Sequence, residues 1–158
     1  MRYFLDTDII FDFLFKGEDS EAEKKLLMLS YFNEVQLFAS TAQANDLLYV
    51  LSRKHDNGMS EKCKHIMLEL SEIITFLPLS NDCFISAIES EWNNLEKACI
   101  WQAAKSINAD AIISRSVDEY ATSSIPAMTA SGWLKKLKEK GISYSFLNFE
   151  NDTSINLI

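Results

Sequence analysis

Short apolar runs alternate along this chain with longer stretches in which apolar residues recur every third or fourth position. The first run, Arg2–Leu5, stops at Asp6 and has the look of a strand buried on both faces of a parallel sheet. Asp6, Thr7 and Asp8 then supply helix-start chemistry ahead of Ile9, Ile10, Phe13 and Leu14. Residues 20–32 are amphipathic, and 35–39 read as a second strand. In 40–54, Ala44, Leu47, Leu48 and Leu51 form an i, i+3, i+4, i+7 stripe, which predicts a helix. Gly58 closes that unit, and 60–72 predicts a further helix, followed by a strand over 73–77 that Pro78 stops. A helix over 80–90 starts at Ser80 or Asn81. The next begins at Asn93 or Asn94 and runs to about 107, with a turn at Asn108. Residues 111–114 make a short apolar strand, and 124–127 an extended edge segment, since Pro126 lacks a ladder donor. A last helix spans 129–140 with Gly141 at its end, and 143–149 looks like a strand.

Strands alternating with helices predict an α/β fold, a three-layer α/β/α sandwich around a mainly parallel sheet. The length of 158 residues suits one core, with a domain over 1–137 and a C-terminal extension over 138–158 packed on it as a strand or tail. In such sheets the ligand crevice lies beyond the C-terminal strand ends, where Asp6 and the segment Arg115 to Glu119 both fall.

Charge changes the picture. A formal net charge of -8 argues against a free-standing binder of nucleic-acid backbone, although a metal-filled cleft of carboxylates would offset it, and an acidic surface suits a basic partner. Three cysteines, at 63, 83 and 99, have neither an even count nor metal-ligand spacing and predict reduced thiols. Cys63 and His65 form no more than half a metal site. The apolar N-terminus is interrupted by Asp6, Asp8 and Asp12, which excludes a signal-peptide core and a membrane span, where a central carboxylate costs about 2.5–3.5 kcal/mol. A cytoplasmic chain is expected.

Among the acids, Asp6 at a buried strand end either binds a hard cation, supported by Thr7 or Asp8, or caps the next helix. Asp12, one turn beyond Asp8, is expected on the solvated helix face. Asp46 lies opposite the apolar stripe beside Ala42 and Tyr49, either an ordinary exposed acid or a carboxylate with room for a metal and a phosphate. Glu96 shares a face with Ile100, Ala103, Ala104 and Ile107. It serves either in a capping box with Asn93 or as a third ligand. Asp110 fixes a turn, Asp118 and Glu119 follow the late strand, and Arg115 can pair with a carboxylate or hold a phosphate. Arg53, Lys54 and His55 complement a helix dipole or touch RNA.

Taken in order, FLDTDIIFDFL, ASTAQANDLLYVLSRKH, NNLEKACIWQAAKSINADAIISRS and DEYATSSIPAMTASGWL resemble the PIN-domain family, nearest its VapC-like branch of toxins from type II toxin–antitoxin pairs. The likeness covers about residues 2–137. It implies a parallel sheet between helices and endonucleolytic cleavage of RNA with Mg²⁺ or Mn²⁺ held by an acidic cluster. An antitoxin partner and a homo-oligomer are implied as well. Carried over by position, the catalytic set is Asp6, Asp46, Glu96 and Glu119, with the metal on Asp6, Asp46 and Glu96, and Thr7, Asp8, Arg115, Ser116 and Asp118 in support. Two positions depart from the family pattern. Lys97 stands where an acid is usual, and Ser116 where an Asn or Asp is usual. A Lys97 amine pointing inward would pair with Asp6 or Asp46 and take the metal's place, leaving a non-catalytic module that binds RNA or protein without any cofactor. If Lys97 instead reaches outward, Glu96 can swing in as the ligand. A dehalogenase-like phosphatase reading of Asp6 and Asp8 is disfavoured by Ile10, where a small or hydroxyl residue is needed, and by the lack of a cap-sized insertion. Trp92, Trp101 and Trp133 fit either a core or an interface.

Overall fold

The computed structural model describes residues 1–17, 20–32, 34–54 and 61–141. Within them the chain runs β1 (Arg2–Leu5), α1 (Thr7–Phe15), α2 (Ser20–Tyr31), β2 (Gln36–Ser40), α3 (Thr41–Lys54), α4 (Glu61–Ile73) and β3 (Ile74–Leu77). It continues through α5 (Asn81–Ile88), α6 (Leu95–Ser106), β4 (Ala111–Ile113), a 3₁₀ turn (Val117–Tyr120), β5 (Ala127–Met128) and α7 (Ala130–Glu139). The strands form one sheet in the order β3-β2-β1-β4-β5, every pair parallel. The expected α/β sandwich is the fold observed.

Alternation of side chains along the buried strands divides the interior into two cores. Tyr3, Leu5, Leu37, Ala39, Ala111 and Ile113 face one way, onto α1, α2, α3, α4 and α7. Phe4 and Ile112 face the other way, against Ile100, Ala103 and Ala104 of α6 and Tyr120, and α5 packs on α6. Trp133 is a core residue edge-on to Tyr3, while half-buried Trp92 and Trp101 stack on each other with centroids 5.2 Å apart. Among the described residues, no helix is long and apolar enough to cross a membrane.

Two local expectations shift. The edge strand is Ala127–Met128 rather than 124–127, because Pro126 has no N–H and contributes only its carbonyl, which accepts from Ile112 N at 2.9 Å. Helix α6 is capped by Asn94, whose Oδ1 accepts from the amides of Glu96 and Lys97, so the capping box of Asn93 with Glu96 does not form. Helix α7 ends at Glu139, within the expected 129–140. His55, Gly58, Ser60 and the strand expected over 143–149 lie outside the described residues.

The sheet order places the functional question. From β1 the chain winds outward through β2 to β3, then returns through α5 and α6 to β4 on the other side of β1. The winding reverses between β1 and β4, so the crevice at their C-terminal ends is where this class of fold presents a ligand site. Parallel register pairs Leu5 with Ile113, which sets Asp6 beside Ser114.

Candidate functional site

Asp6 ends β1 and caps α1. Its amide donates to Ile113 O at 2.9 Å, and its Oδ1 accepts from Thr7 N at 2.7 Å. The side chain has no solvent exposure. A carboxylate so buried needs partners, and it has four. Thr7 N and Lys97 Nζ, the latter at 2.8 Å, reach Oδ1, while Ser114 Oγ at 2.7 Å and Tyr120 OH at 3.0 Å reach Oδ2. Of the two readings of Asp6, the helix cap is the one observed, and the same carboxylate also holds the Lys97 ammonium.

Lys97 comes from the first turn of α6, and its side chain is 9% exposed. Burial works against the ammonium, but the hydrogen bond and charge of Asp6, with help from Glu96 and Asp8, outweigh it and hold its pKa above the usual 10.5. The amine therefore points inward, pairs with Asp6 and stays charged. Glu119 Oε2 lies 4.0 Å from the same nitrogen and accepts from Asn94 Nδ2 at 3.1 Å. Tyr120 is held as a neutral phenol, its pKa pushed far up by burial and then by the charge and hydrogen bond of Asp6.

Asp8 sits one step outward. Its carboxylate meets the amides of Arg115 and Ser116 at 3.3 and 3.2 Å and the Ser116 hydroxyl at 3.2 Å. Ser114 Oγ is 3.3 Å from Asp8 but 2.7 Å from Asp6, and with one proton to give it serves Asp6. Burial first, then the charge of Asp6, raises the Asp8 pKa above its usual 3.8 despite those amides and Lys97. A cavity of about 330 Å³ opens here, lined by Thr7, Asp8, Phe11, Asn94, Glu96, Lys97, Arg115, Ser116 and Glu119. Glu96 is exposed at its rim and accepts from Thr7 Oγ1 at 3.1 Å.

The sequence-derived set is thus gathered only in part. Asp8, Glu96 and Glu119 share the cavity with Lys97, and Asp6 lies directly beneath through its bond to that amine. Asp46 is exposed on α3 and does not line the cavity, and Asp118 is exposed on the 3₁₀ turn. Arg115 pairs with a carboxylate: its Nη1 lies 2.8 Å from both oxygens of Asp12. That corrects the expectation for Asp12, which is 9% exposed and not on a solvated face. Sequence reasoning passed over the roles of Ser114 and Tyr120, and the bond from Asn94 to Glu119. The first could have been found from strand register alone.

A divalent cation, which the family resemblance implies, needs several oxygen ligands with free lone pairs around one point. Among the described residues, no group of three or more His, Cys, Asp or Glu side chains is arranged to hold a metal. The central carboxylate is saturated, an ammonium stands against it, and Asp46 lies outside the cavity. This donor set does not fit the ion.

Comparison with known proteins agrees with the fold. A family model described as PIN domain matches residues 2–118. No curated protein matches the chain. Among solved structures, the chain is similar to one in the crystal structure of VapBC2 from Rickettsia felis bound to a DNA fragment from their promoter. The TM-score is 0.59 at 17% identity, covering 82% of this chain and 98% of that one. With the match running from β1 into the start of the 3₁₀ turn, and so over well more than half of its length, the chain belongs to the PIN-domain family.

Proposed function

We propose that this PIN-domain chain is a binding module for a basic protein partner, its acidic centre closed by Lys97 rather than used for metal-dependent RNA cleavage. The observation that carries the reading is the 2.8 Å contact between Lys97 Nζ and Asp6 Oδ1 in a buried position. An ammonium there repels a dication and fills the place where one would bind Asp6. The partner class follows from charge. The chain carries a formal -8, which disfavours an RNA backbone, and Asp8, Glu96 and Glu119 line an open cavity that suits lysine or arginine side chains. The structural neighbour comes from a VapBC complex, which supports an antitoxin-like protein as the partner.

Two assays test this. Purified protein with Mn²⁺ is expected to leave several RNA substrates intact, and cleavage that disappears in Asp6→Asn overturns the reading in favour of a metal-dependent endoribonuclease. An arginine-rich peptide is expected to bind at low ionic strength and to weaken with salt and in the Glu96→Gln/Glu119→Gln double variant. Binding indifferent to both removes the acidic cavity as the contact.

A further inference from the structure

We infer that Lys97 is the resident cation of the acidic centre, a covalently attached substitute for a divalent ion, so that removing its amine creates divalent-cation dependence that the unaltered protein lacks. This rests on the non-cleaving reading and extends it from what the site does not do to what holds it together.

The position of the nitrogen argues for substitution rather than an incidental ion pair. Nζ lies 2.8 Å from Asp6 and 4.0 Å from Glu119. Glu96 and Asp8 are close enough for their charges to stabilise it as well. The end of β1 and the 3₁₀ turn thus bring carboxylates within 4.0 Å of one cationic atom, and those on the first turns of α1 and α6 add negative charge to its surroundings. That negative field is one that a small cation would compensate once the amine is gone. The other basic side chain lining the cavity, Arg115, is committed to Asp12 at 2.8 Å and does not compete for the position. Taking away Nζ leaves Asp6 Oδ1 with Thr7 N as its remaining donor and one lone pair free, surrounded by uncompensated negative charge. Replacement by Met, which keeps an unbranched stem without the charge, leaves the space and the field to a small ion.

The experiment compares wild type, Lys97→Met and Lys97→Met/Asp6→Asn for Mn²⁺ binding by calorimetry and for melting temperature with Mn²⁺ or with chelator. Wild type is expected to melt at the same temperature in both. Lys97→Met is expected to bind one Mn²⁺ and to melt higher with it, and the double variant to lose both responses. If Lys97→Met does not fold in chelator, refolding in Mn²⁺ supports the inference, and failure to refold in Mn²⁺ overturns it. A folded Lys97→Met protein without Mn²⁺ binding overturns it too, as does wild-type protein that binds Mn²⁺ as tightly as the variant. RNA cleavage by wild type would instead sink the non-cleaving reading, so the two failures are told apart by different proteins in different assays.

Discussion

Neutralising the Asp6–Lys97 pair one partner at a time, with no metal present, should reveal how strongly the two charges depend on each other. Lys97→Met leaves the fully buried Asp6 carboxylate with three neutral donors, Thr7 N, Ser114 Oγ and Tyr120 OH. Removing one partner of a buried pair costs about 3–5 kcal/mol. For a chain of this size that corresponds to a melting temperature lower by roughly 6–20 °C. Asp6→Asn is gentler. The amide oxygen can still face Thr7 N and Lys97, its NH₂ can donate to the two hydroxyls, and the ammonium can lean toward Glu119, 4.0 Å away. Its cost is about 1.5–3 kcal/mol, the worth of a hydrogen bond to a charged group. The double variant carries neither charge, so its loss should fall short of the sum by about 1–3 kcal/mol, the coupling typical of contacting residues in one network. Urea unfolding followed by tryptophan fluorescence measures all four corners of the cycle. Losses that add to within about 0.5 kcal/mol would refute the argument, because independent sites behave that way.

Other consequences follow from the same neighbourhood. Because the Asp8 pKa is raised in the fold, its contribution is fully present below the usual carboxylate value and is lost as pH rises through the raised one. The melting temperature of Asp8→Asn should therefore gain on wild type between acid and neutral pH, and a difference that stays constant with pH contradicts this. Tyr120 is one of five tyrosines, and its neutral phenol is held by burial and Asp6. An alkaline titration by tyrosinate absorbance should show it ionising only when the protein unfolds, with Tyr120→Phe removing that last step. Gly17→Ala would put a Cβ in steric overlap with Asp12 Cγ, whose carboxylate is pinned by Arg115. A loss of about 1–3 kcal/mol in chemical denaturation is expected from such overpacking, and wild-type stability would refute it.

What the sequence made legible was local. Buried parallel strands announce themselves as short apolar runs, which is why Arg2–Leu5 and the strand at Ala111 could be placed from pattern alone. Caps carry their own side-chain chemistry, and Asp6, Ser80 and Thr129 each start the helix their residue types suggest. Long-range partners were illegible. Asp12 looks solvated on a helical wheel, and its burial becomes visible only with Arg115, 103 positions away. Serine and tyrosine hydroxyls carry little pattern, so the donors Ser114 and Tyr120 emerged only once β1 and β4 were paired. The exposure of Asp46 could not be decided from spacing, because a ligand and a solvated acid occupy the same helix face.

The direction of the Lys97 amine was also open in the sequence, and charge balance explains why it turns inward. Asp6 ends a strand at the centre of the sheet and caps a helix in one layer, while Lys97 belongs to a helix in the other layer. Their contact ties both helix layers to the sheet at the point where its winding reverses. A dication could make the same tie with two positive charges, whereas lysine supplies one. That one charge compensates Asp6 and leaves Asp8 with neutral donors as its closest partners, which agrees with a carboxyl held above its usual pKa. The residual negative charge on Asp8, Glu96 and Glu119 then faces the open cavity rather than the core. An acidic centre satisfied from within still projects an attractive field outward, and so it can draw in a basic partner without having to release an ion first.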